Sequence, residues 1–290
     1  MLFSSITFLF YFLPALLMVW FPVRHKTTAA NFVLLFASLF FYAWGEPVFI
    51  LIMLASILAN YGFGRLIAGD NNRASFYLFL GLLFNLGVLF YFKYIGFFMA
   101  NMADIFEINL SVPDVSLPLG ISFFTFQAIT YLVDLRRGVI SVQNNLFNLA
   151  LYISLFPQLI AGPIVRYRDI EKQITNRHIT LDGFAAGARR FVVGLGKKVL
   201  IANPFGEAAD GVYALPTDEL TTYLVLVGMV AYTIQIYFDF SAYSDMAIGL
   251  GRMFGFNFLE NFNYPYISRS IREFWRRWHI SLSNFILAFS

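Results

Sequence analysis

Long apolar runs, separated by short polar stretches, follow one another along the whole chain. The first run, 2–21, carries no charged residue and has about the length of one membrane crossing, roughly 20 residues. A helix satisfies its own backbone hydrogen bonds in lipid, so each run is a helix candidate. Further candidates are 29–44, 48–68, 75–92, 94–106, 119–135, 146–161, 184–202 and 221–258. The pattern predicts an all-α fold, a polytopic transmembrane helical bundle.

The charged residues between the runs predict how this bundle is oriented. Lys and Arg concentrate on the cytoplasmic side of membrane proteins. Basic residues follow the first run at Arg24 and Lys26 and cluster at 136–137, 166–190 and 269–277. Segments 101–118 and 204–219 carry acidic residues and no Lys or Arg. We therefore expect the amino terminus and both acidic segments outside, and the basic clusters inside.

Two runs do not fit simple crossings. Segment 146–161 lies between two basic regions that are both expected inside, so it should enter and leave the membrane from one side. Segment 221–258 begins outside, ends inside and is too long for one crossing, which predicts one crossing plus a separate non-spanning helix. Such re-entrant helices usually line a cavity.

Composition narrows the class of protein. Hydrophobic residues make up 59% of the 290 residues and charged residues 13%, which excludes a soluble globular domain. The absence of cysteine excludes disulfides and Cys-ligated metals, and the net charge of +3 implies no nucleic-acid partner. No phosphate-binding loop, nucleophile elbow or zinc-protease motif occurs, so no metal is expected. We interpret residues 1–290 as a single membrane domain.

Polar residues are concentrated within the long run 221–258. On a helix, Asp239 and Tyr243 lie at i and i+4, as do Ser241 and Asp245, which gives two polar stripes on roughly opposite sides. Burying such residues in lipid is costly, and they usually serve a pathway or a pocket. Two interpretations stay open, a hydrogen-bond network between helices and the wall of a substrate cavity.

A second polar group lies at 268–279. On a helix, Arg272, Trp275, Arg276 and His279 share one face. Two nearby cations would favour a neutral imidazole, the form that acts as a general base. The alternative is a basic aromatic helix anchored at the interface, with His279 incidental.

Pro and Gly interrupt two apolar stretches, 118–127 and 156–163. Such breaks expose backbone groups, and they are tolerated at membrane depth where protein or a water-filled cavity satisfies them. A tunnel and ordinary helix kinks are both compatible with this pattern.

Four motifs in order resemble the membrane-bound O-acyltransferase family. They are LGISFFTFQ at 119–127, FPQLIAGPIVRY at 156–167, YFDFSAYSDMAIGLG at 237–251, and NFNYPY at 261–266 continued by FWRRWHISL at 274–282. Within the family the chain looks most similar to bacterial alginate O-acetyltransferases, with teichoic-acid D-alanyl transferases as more distant relatives. The resemblance covers nearly the whole chain up to Ser283.

This resemblance implies a helical bundle around a funnel and tunnel in a bacterial inner membrane. An acyl thioester such as acetyl-CoA approaches from the cytoplasm as donor substrate, with no bound cofactor. The acetyl group then passes to an extracytoplasmic partner protein and an exported polysaccharide such as alginate. His279 matches a family His position and would be the base, and the cavity would be lined by Gln127, Asp239, Tyr243, Asp245 and Trp275.

The sequence departs from the family pattern at its end. In the family, further helices lead to a second His in a Leu-Trp-His context, held to be the catalytic one, and no residue here matches it. We expect that the chain as given lacks the family's carboxy-terminal helices and is inactive as an acyltransferase.

Two other functions stay open. A transporter or channel also explains intramembrane polar residues, although the two halves of the chain show no matching hydropathy. A non-catalytic assembly subunit is the third possibility.

Overall fold

Helices form the regular structure of this chain. The computed structural model describes residues 1–108, 113, 115–159 and 162–287, and no strand occurs within these ranges. The predicted all-α class is confirmed. The α-helices are α1 Leu13–Val23, α2 Thr27–Gly45, α3 Ile50–Gly69, α4 Ala74–Phe106, α5 Ile121–Arg136, α6 Leu146–Ser154, α7 Phe156–Leu159, α8 Tyr167–Thr175, α9 Leu181–Gly196, α10 Asn203–Tyr213, α11 Thr222–Met253, α12 Ile271–Arg277 and α13 Ile280–Leu287.

Shorter helical segments adjoin these helices. π-Helical segments at Thr7–Phe12 and Lys197–Ala202 lead directly into α1 and α10, and a 3₁₀ turn spans Pro265–Ile267. Several parts of the predicted segments lie outside the described residues: Asp114 of the first acidic segment, residues 160–161 of the second Pro/Gly stretch, and the tail 288–290.

Four of the described helices, α2, α3, α4 and α11, are long and apolar enough to cross a membrane. The π-helical segment and α1 together form a shorter apolar helix, Thr7–Val23. Bilayers require about 20 apolar residues per helical crossing, which these four helices meet or nearly meet. The chain is therefore an integral membrane protein, as its apolar runs predict.

Two predicted boundaries are wrong. Runs 75–92 and 94–106 form one helix, α4, because Lys93 between them keeps helical geometry. Run 221–258 is not a crossing plus a separate helix, since α11 continues without a break from Thr222 to Met253. At 1.5 Å per residue, its 32 residues span about 48 Å, longer than the roughly 30 Å hydrocarbon layer. α11 ends at Met253, and Gly255, one residue beyond the C-cap Phe254, has a left-handed φ of +84°.

The described part of segment 146–161 forms two short helices, α6 and α7, instead of one continuous helix. α6 has nine residues and a length of about 14 Å, too short to cross a bilayer. Asn145 caps its first turn by accepting a hydrogen bond from the Phe147 N–H. Leu155 has an extended ψ of 110° and separates α6 from α7, which carries Pro157 in its first turn.

The described residues divide into two compact units. The first comprises those within Met1–His25, Ala161–Val165 and Arg177–Ser290, and the second those within Lys26–Ile160 and Arg166–Asn176. This division does not test whether the chain is one membrane domain, which stays a prediction.

Close backbone contact defines the first unit. The continuous stretch of α9, the π-helical segment and α10 packs against α11, with only residues 214–221 between the two. A Cβ on Gly194 would lie 2.8 Å from both the Ala242 carbonyl oxygen and the Met246 nitrogen. A Cβ on Gly187 would lie 2.6 Å from the Gly249 carbonyl oxygen. Small residues at such positions let membrane helices approach closely.

Polar pairing joins helices in the second unit, where α3, α4 and α5 pack on one another. The buried amides of Asn60 on α3 and Asn85 on α4 exchange hydrogen bonds of 3.1 and 2.7 Å. Gly120 caps α5 with a φ of +76°, and a Cβ there would lie 2.8 Å from the carbonyl oxygen of Leu159. Gly120 of the first Pro/Gly stretch therefore lies against Leu159 of the second, and the tunnel interpretation stays a prediction.

Candidate functional site

Ion pairs engage both aspartates of α11. Lys198 Nζ lies 2.7 Å from Asp239 Oδ1, and Lys197 Nζ lies 2.6 Å from Asp245 Oδ2. Both lysines belong to the π-helical segment, in which one extra residue per turn shifts the side chains. Successive lysines thus reach carboxylates that are six residues apart on the facing helix.

Arg190 on α9 contacts both α11 and the segment that follows α11. Its guanidinium contacts Asp245 Oδ1 at 2.8 Å and also binds both carboxylate oxygens of Glu260. Hydrogen bonds to Glu260 and Asp245 raise the pKa of Arg190 above its usual value, so it stays charged. Asp245 therefore holds two cations, and Arg190 holds two carboxylates.

A cavity of about 470 Å³ opens beside this network. Its lining is Arg190, Lys197, Tyr237, Ser241, Ser244, Asp245, Glu260, Asn261, Phe262, Asn263, Tyr264 and Ile280. Within the described part of the chain, Ser241 Oγ, Ser244 Oγ and Asn261 Nδ2 are buried without a hydrogen-bond partner. Buried polar atoms are normally paired, so these three mark a wall suited to a polar occupant or water.

The two polar stripes of α11 line different spaces. Ser241 and Asp245 face the cavity, whereas Asp239 and Tyr243 line a shallower depression of about 410 Å³. The Tyr243 ring also stacks on Phe3 with 4.6 Å between ring centroids. The two aspartates thus pair with a neighbouring helix and also line two spaces, and a substrate in either space stays a prediction.

His279 does not share a helical face with Trp275, contrary to the sequence-based expectation. α12 ends at Arg277 because Trp278 is extended, with φ −99° and ψ 129°. His279 follows with a left-handed φ of +45°, a conformation that costs about 1–3 kcal/mol in a residue other than glycine. It stands between α12 and α13, where its carbonyl oxygen accepts the first hydrogen bonds of α13, from the N–H groups of Leu282 at 3.0 Å and Ser283 at 3.2 Å.

The imidazole of His279 is half-buried, and its ring packs edge-on against Phe240 at 4.8 Å. Nε2 is buried and has no hydrogen-bond partner among the described residues. Burial lowers the pKa of His279 to about 4, so the ring is neutral at physiological pH. The neutral form was expected, but its cause is burial and not the two arginines.

Trp275 is 52% exposed, and its indole does not belong to the cavity lining. Trp278 instead stands in an aromatic cluster, stacked on Phe274 at 5.5 Å and edge-on to Phe262 at 5.1 Å. The extended backbone of Trp278 ends α12 and directs its own indole into this cluster.

A family comparison adds a second kind of evidence to this geometry. The sequence model of the membrane-bound O-acyltransferase family (MBOAT) matches residues 74–289, which include α4 and all four motifs. The chain belongs to the MBOAT family. The resemblance inferred from the motifs is thereby confirmed.

Individual MBOAT relatives match 99% of the chain. It is 45% identical over 293 residues to the "Probable alginate O-acetylase AlgI" of Pseudomonas aeruginosa, covering 56% of that protein. It is 46% identical to the protein of the same description in Azotobacter vinelandii, covering 58% of it. It is 36% identical to the "Peptidoglycan O-acetyltransferase" of Helicobacter pylori, covering 60% of it. The chain thus spans less than two thirds of each relative.

Gln127, predicted to line the cavity of this MBOAT protein, belongs to the second unit. Its side chain is 1% exposed on α5, and neither amide atom has a hydrogen-bond partner among the described residues. Its carbonyl oxygen accepts a hydrogen bond of 2.8 Å from Thr130 Oγ1. Leaving a buried amide unpaired costs about 1–3 kcal/mol, so the unpaired Gln127 amide destabilises α5 unless water or a ligand binds it.

Arg190, Lys197, Glu260 and Asn261 are site residues that the sequence-based reasoning missed. The sequence places Arg190 in the basic cluster 166–190, which describes its charge and not its partner. A usable signal existed, because Arg190 and Lys197 are seven residues apart and lie on one helical face. Two carboxylates in an MBOAT membrane helix require such cations nearby.

Proposed function

We propose that the protein is an O-acyltransferase that passes an acetyl group from a cytoplasmic thioester donor across the membrane. The acceptor is an exported polysaccharide such as alginate, reached through an extracytoplasmic partner protein. Acetyl-CoA or another acyl thioester is the donor. Family membership and the printed descriptions of the two alginate O-acetylase relatives support this proposal.

The observation that carries the proposal is His279, a neutral imidazole whose buried Nε2 has no protein partner in the described residues. In the proposed reaction Nε2 takes the proton of the acceptor hydroxyl as its oxygen attacks the thioester carbonyl. The new ester C–O bond forms and the C–S bond breaks. The proton then passes from Nε2 to the departing thiolate, so the base is regenerated.

Orientation follows from the charged segments, and we place the protein in a bacterial inner membrane with its amino terminus outside. Residues 214–221 between α10 and α11 carry Asp218 and Glu219 without Lys or Arg, which supports an external position. The segment before α9 and the region after α11 are basic, which supports a cytoplasmic position. The donor then approaches from the side of the basic segments.

Replacing His279 tests the function directly. His279→Ala in the protein as its gene encodes it should lower polysaccharide acetylation by at least about 100-fold, the range of general-base catalysis. His178→Ala is the matched control, because His178 is exposed in a loop and has no role in the site. Ester-bound acetate on the polymer and consumption of labelled acetyl-CoA by membranes are the measurements. Unchanged acetylation in His279→Ala would refute the role of this residue.

A second acceptor has its own support. The Helicobacter pylori relative is described as a peptidoglycan O-acetyltransferase, which makes a glycan of the cell wall the competing acceptor. Acetyl esters should be measured separately on secreted polymer and on purified cell wall from the same cells. If no acetyl thioester is consumed in either case, the transporter interpretation gains and the acyltransferase proposal falls.

A further inference from the structure

The conformation of His279 requires an external support. A left-handed φ of +45° is unfavourable for a residue with a Cβ, and His279 stands at the junction of α12 and α13. Its own carbonyl oxygen accepts hydrogen bonds from the N–H groups of Leu282 and Ser283 in α13. The hydrogen bonds around this junction show where the support comes from.

Asn261 contacts the two residues that follow His279. Its carbonyl oxygen accepts a hydrogen bond of 2.9 Å from the Ile280 N–H. Its side-chain Oδ1 accepts hydrogen bonds from the Ser281 N–H at 3.2 Å and the Ser281 Oγ at 2.9 Å. The side chain of Asn261 is fully buried, so water does not compete for these bonds.

The residues that follow Asn261 also hold the segment before His279. The Asn263 N–H donates to the Arg277 carbonyl oxygen at 2.9 Å. Phe262, between the two asparagines, packs on Phe240 at 5.0 Å, the ring that His279 also contacts. Residues 261–263 thus fix the His279 backbone on both sides and the ring against which its imidazole rests.

We infer that Asn261 is a positioning residue, which holds His279 in its left-handed conformation and aims the imidazole through the hydrogen bonds that Oδ1 accepts from Ser281. The inference rests on the proposed function for its catalytic consequence, but the geometric part stands without it. Main-chain contacts of Asn261 survive any substitution, whereas the Oδ1 contacts depend on the side chain. Variants of the Asn261 side chain therefore test the Oδ1 contacts separately from the main-chain contacts.

Three variants, made in the protein as its gene encodes it, test the inference. Asn261→Leu keeps the size of the side chain and removes the acceptor, whereas Asn261→Asp keeps an acceptor at Oδ1. Asn284→Leu is the matched control, the same replacement at an exposed position of α13. If Asn261→Leu does not fold, Ser281→Ala removes one of the two Oδ1 contacts together with the acceptor of the Ile164 N–H, and it should change both readouts in the same direction.

The first readout is catalytic. Misplacing a catalytic group by about 1 Å costs up to about 100-fold in rate, so Asn261→Leu should lower kcat by about 10- to 100-fold. KM for acetyl-CoA should change by less than about twofold, because a positioning defect acts on the chemical step. Asn261→Asp should recover most of kcat, and Asn284→Leu should equal the unsubstituted protein.

The second readout does not need activity. Diethylpyrocarbonate modifies neutral imidazoles, and the chain has three histidines, of which His25 and His178 are exposed internal references. His279 should react slowly in the unsubstituted protein and in Asn261→Asp. In Asn261→Leu its reactivity should rise toward that of His178, as seen by peptide mass spectrometry.

The combined outcomes separate the inference from the proposed function. If kcat falls in Asn261→Leu while His279 stays unreactive, the positioning role is overturned. If His279 becomes reactive while transfer continues at the normal rate, the positioning role stands and His279 is not the base. If neither readout moves, the inference fails.

Discussion

Lys197 and Asp245 form an ion pair of 2.6 Å between the π-helical segment and the carboxy-terminal third of α11. The neighbouring Lys198 pairs at 2.7 Å with Asp239, which lies about 1.7 helical turns before Asp245. The two pairs differ in depth, since the Asp245 side chain is 16% exposed and that of Asp239 is 42% exposed. Asp245 also contacts Arg190, so it anchors the network and Asp239 stands at its edge.

Neutralising the two aspartates should therefore have unequal effects. Asp245→Asn removes the carboxylate that pairs with both Arg190 and Lys197 and leaves these two cations partly buried. This change should lower the free energy of unfolding by about 2 kcal/mol. Asp239→Asn removes a single ion pair, which is more exposed, and should lower the free energy of unfolding by less than about 1 kcal/mol. Unfolding in detergent micelles measures both. Equal losses, or a larger loss at Asp239, would contradict the assignment of Asp245 as the anchor.

Helix positions were predictable from the sequence where lipid imposes the pattern. The runs 29–44 and 48–68 correspond to α2 and α3 within two residues at each end. One error lies at Lys93, which does not interrupt α4 because its long side chain can carry the charge away from the apolar surface. The other lies in α11, where the expected division rests on length and orientation, whereas the helix is continuous.

The site was predictable only in part, because its geometry depends on contacts between distant segments. Helical spacing alone assigned Asp239 and Tyr243 to one stripe and Ser241 and Asp245 to another, and these pairs line separate spaces. The same spacing rule failed at His279, since α12 ends two residues earlier. No local pattern marks Asn261, whose partners are about twenty residues further along the chain.

Close packing of α9 on α11 predicts a sharp contrast between two glycines. A Cβ at Gly194 would meet backbone atoms of Ala242 and Met246 at 2.8 Å, so Gly194→Ala should push the helices apart and cost about 1–3 kcal/mol. Gly196 lies on the same helix with no atom within 4 Å of its added Cβ. Gly196→Ala should instead stabilise the protein by up to about 1 kcal/mol through helix propensity. Thermal unfolding of both variants measures this, and similar melting temperatures would contradict the packing.

The orientation can be tested cleanly because the chain has no cysteine. A cysteine at Thr217, between α10 and α11, should react with a membrane-impermeant maleimide added to intact spheroplasts. A cysteine at His178, in the basic segment before α9, should react only after the membrane is opened. Both positions are exposed, so solvent access within the protein is not limiting. The reverse labelling pattern would invert the proposed topology.

The pH dependence of acetyl transfer should report the burial of His279. A base must be unprotonated, so activity is present above its pKa and is lost as the pH falls through it. With its pKa lowered by burial to about 4, His279 would be only about 3% protonated at pH 5.5, whereas an imidazole of pKa 6.5 would be about 90% protonated. We therefore expect kcat/KM to stay level from pH 8 to pH 5.5 and to decline only toward pH 4. Samples returned to pH 7.5 before a second assay distinguish titration from unfolding. A reversible loss centred near pH 6.5 would mean that the imidazole is solvated in the working protein.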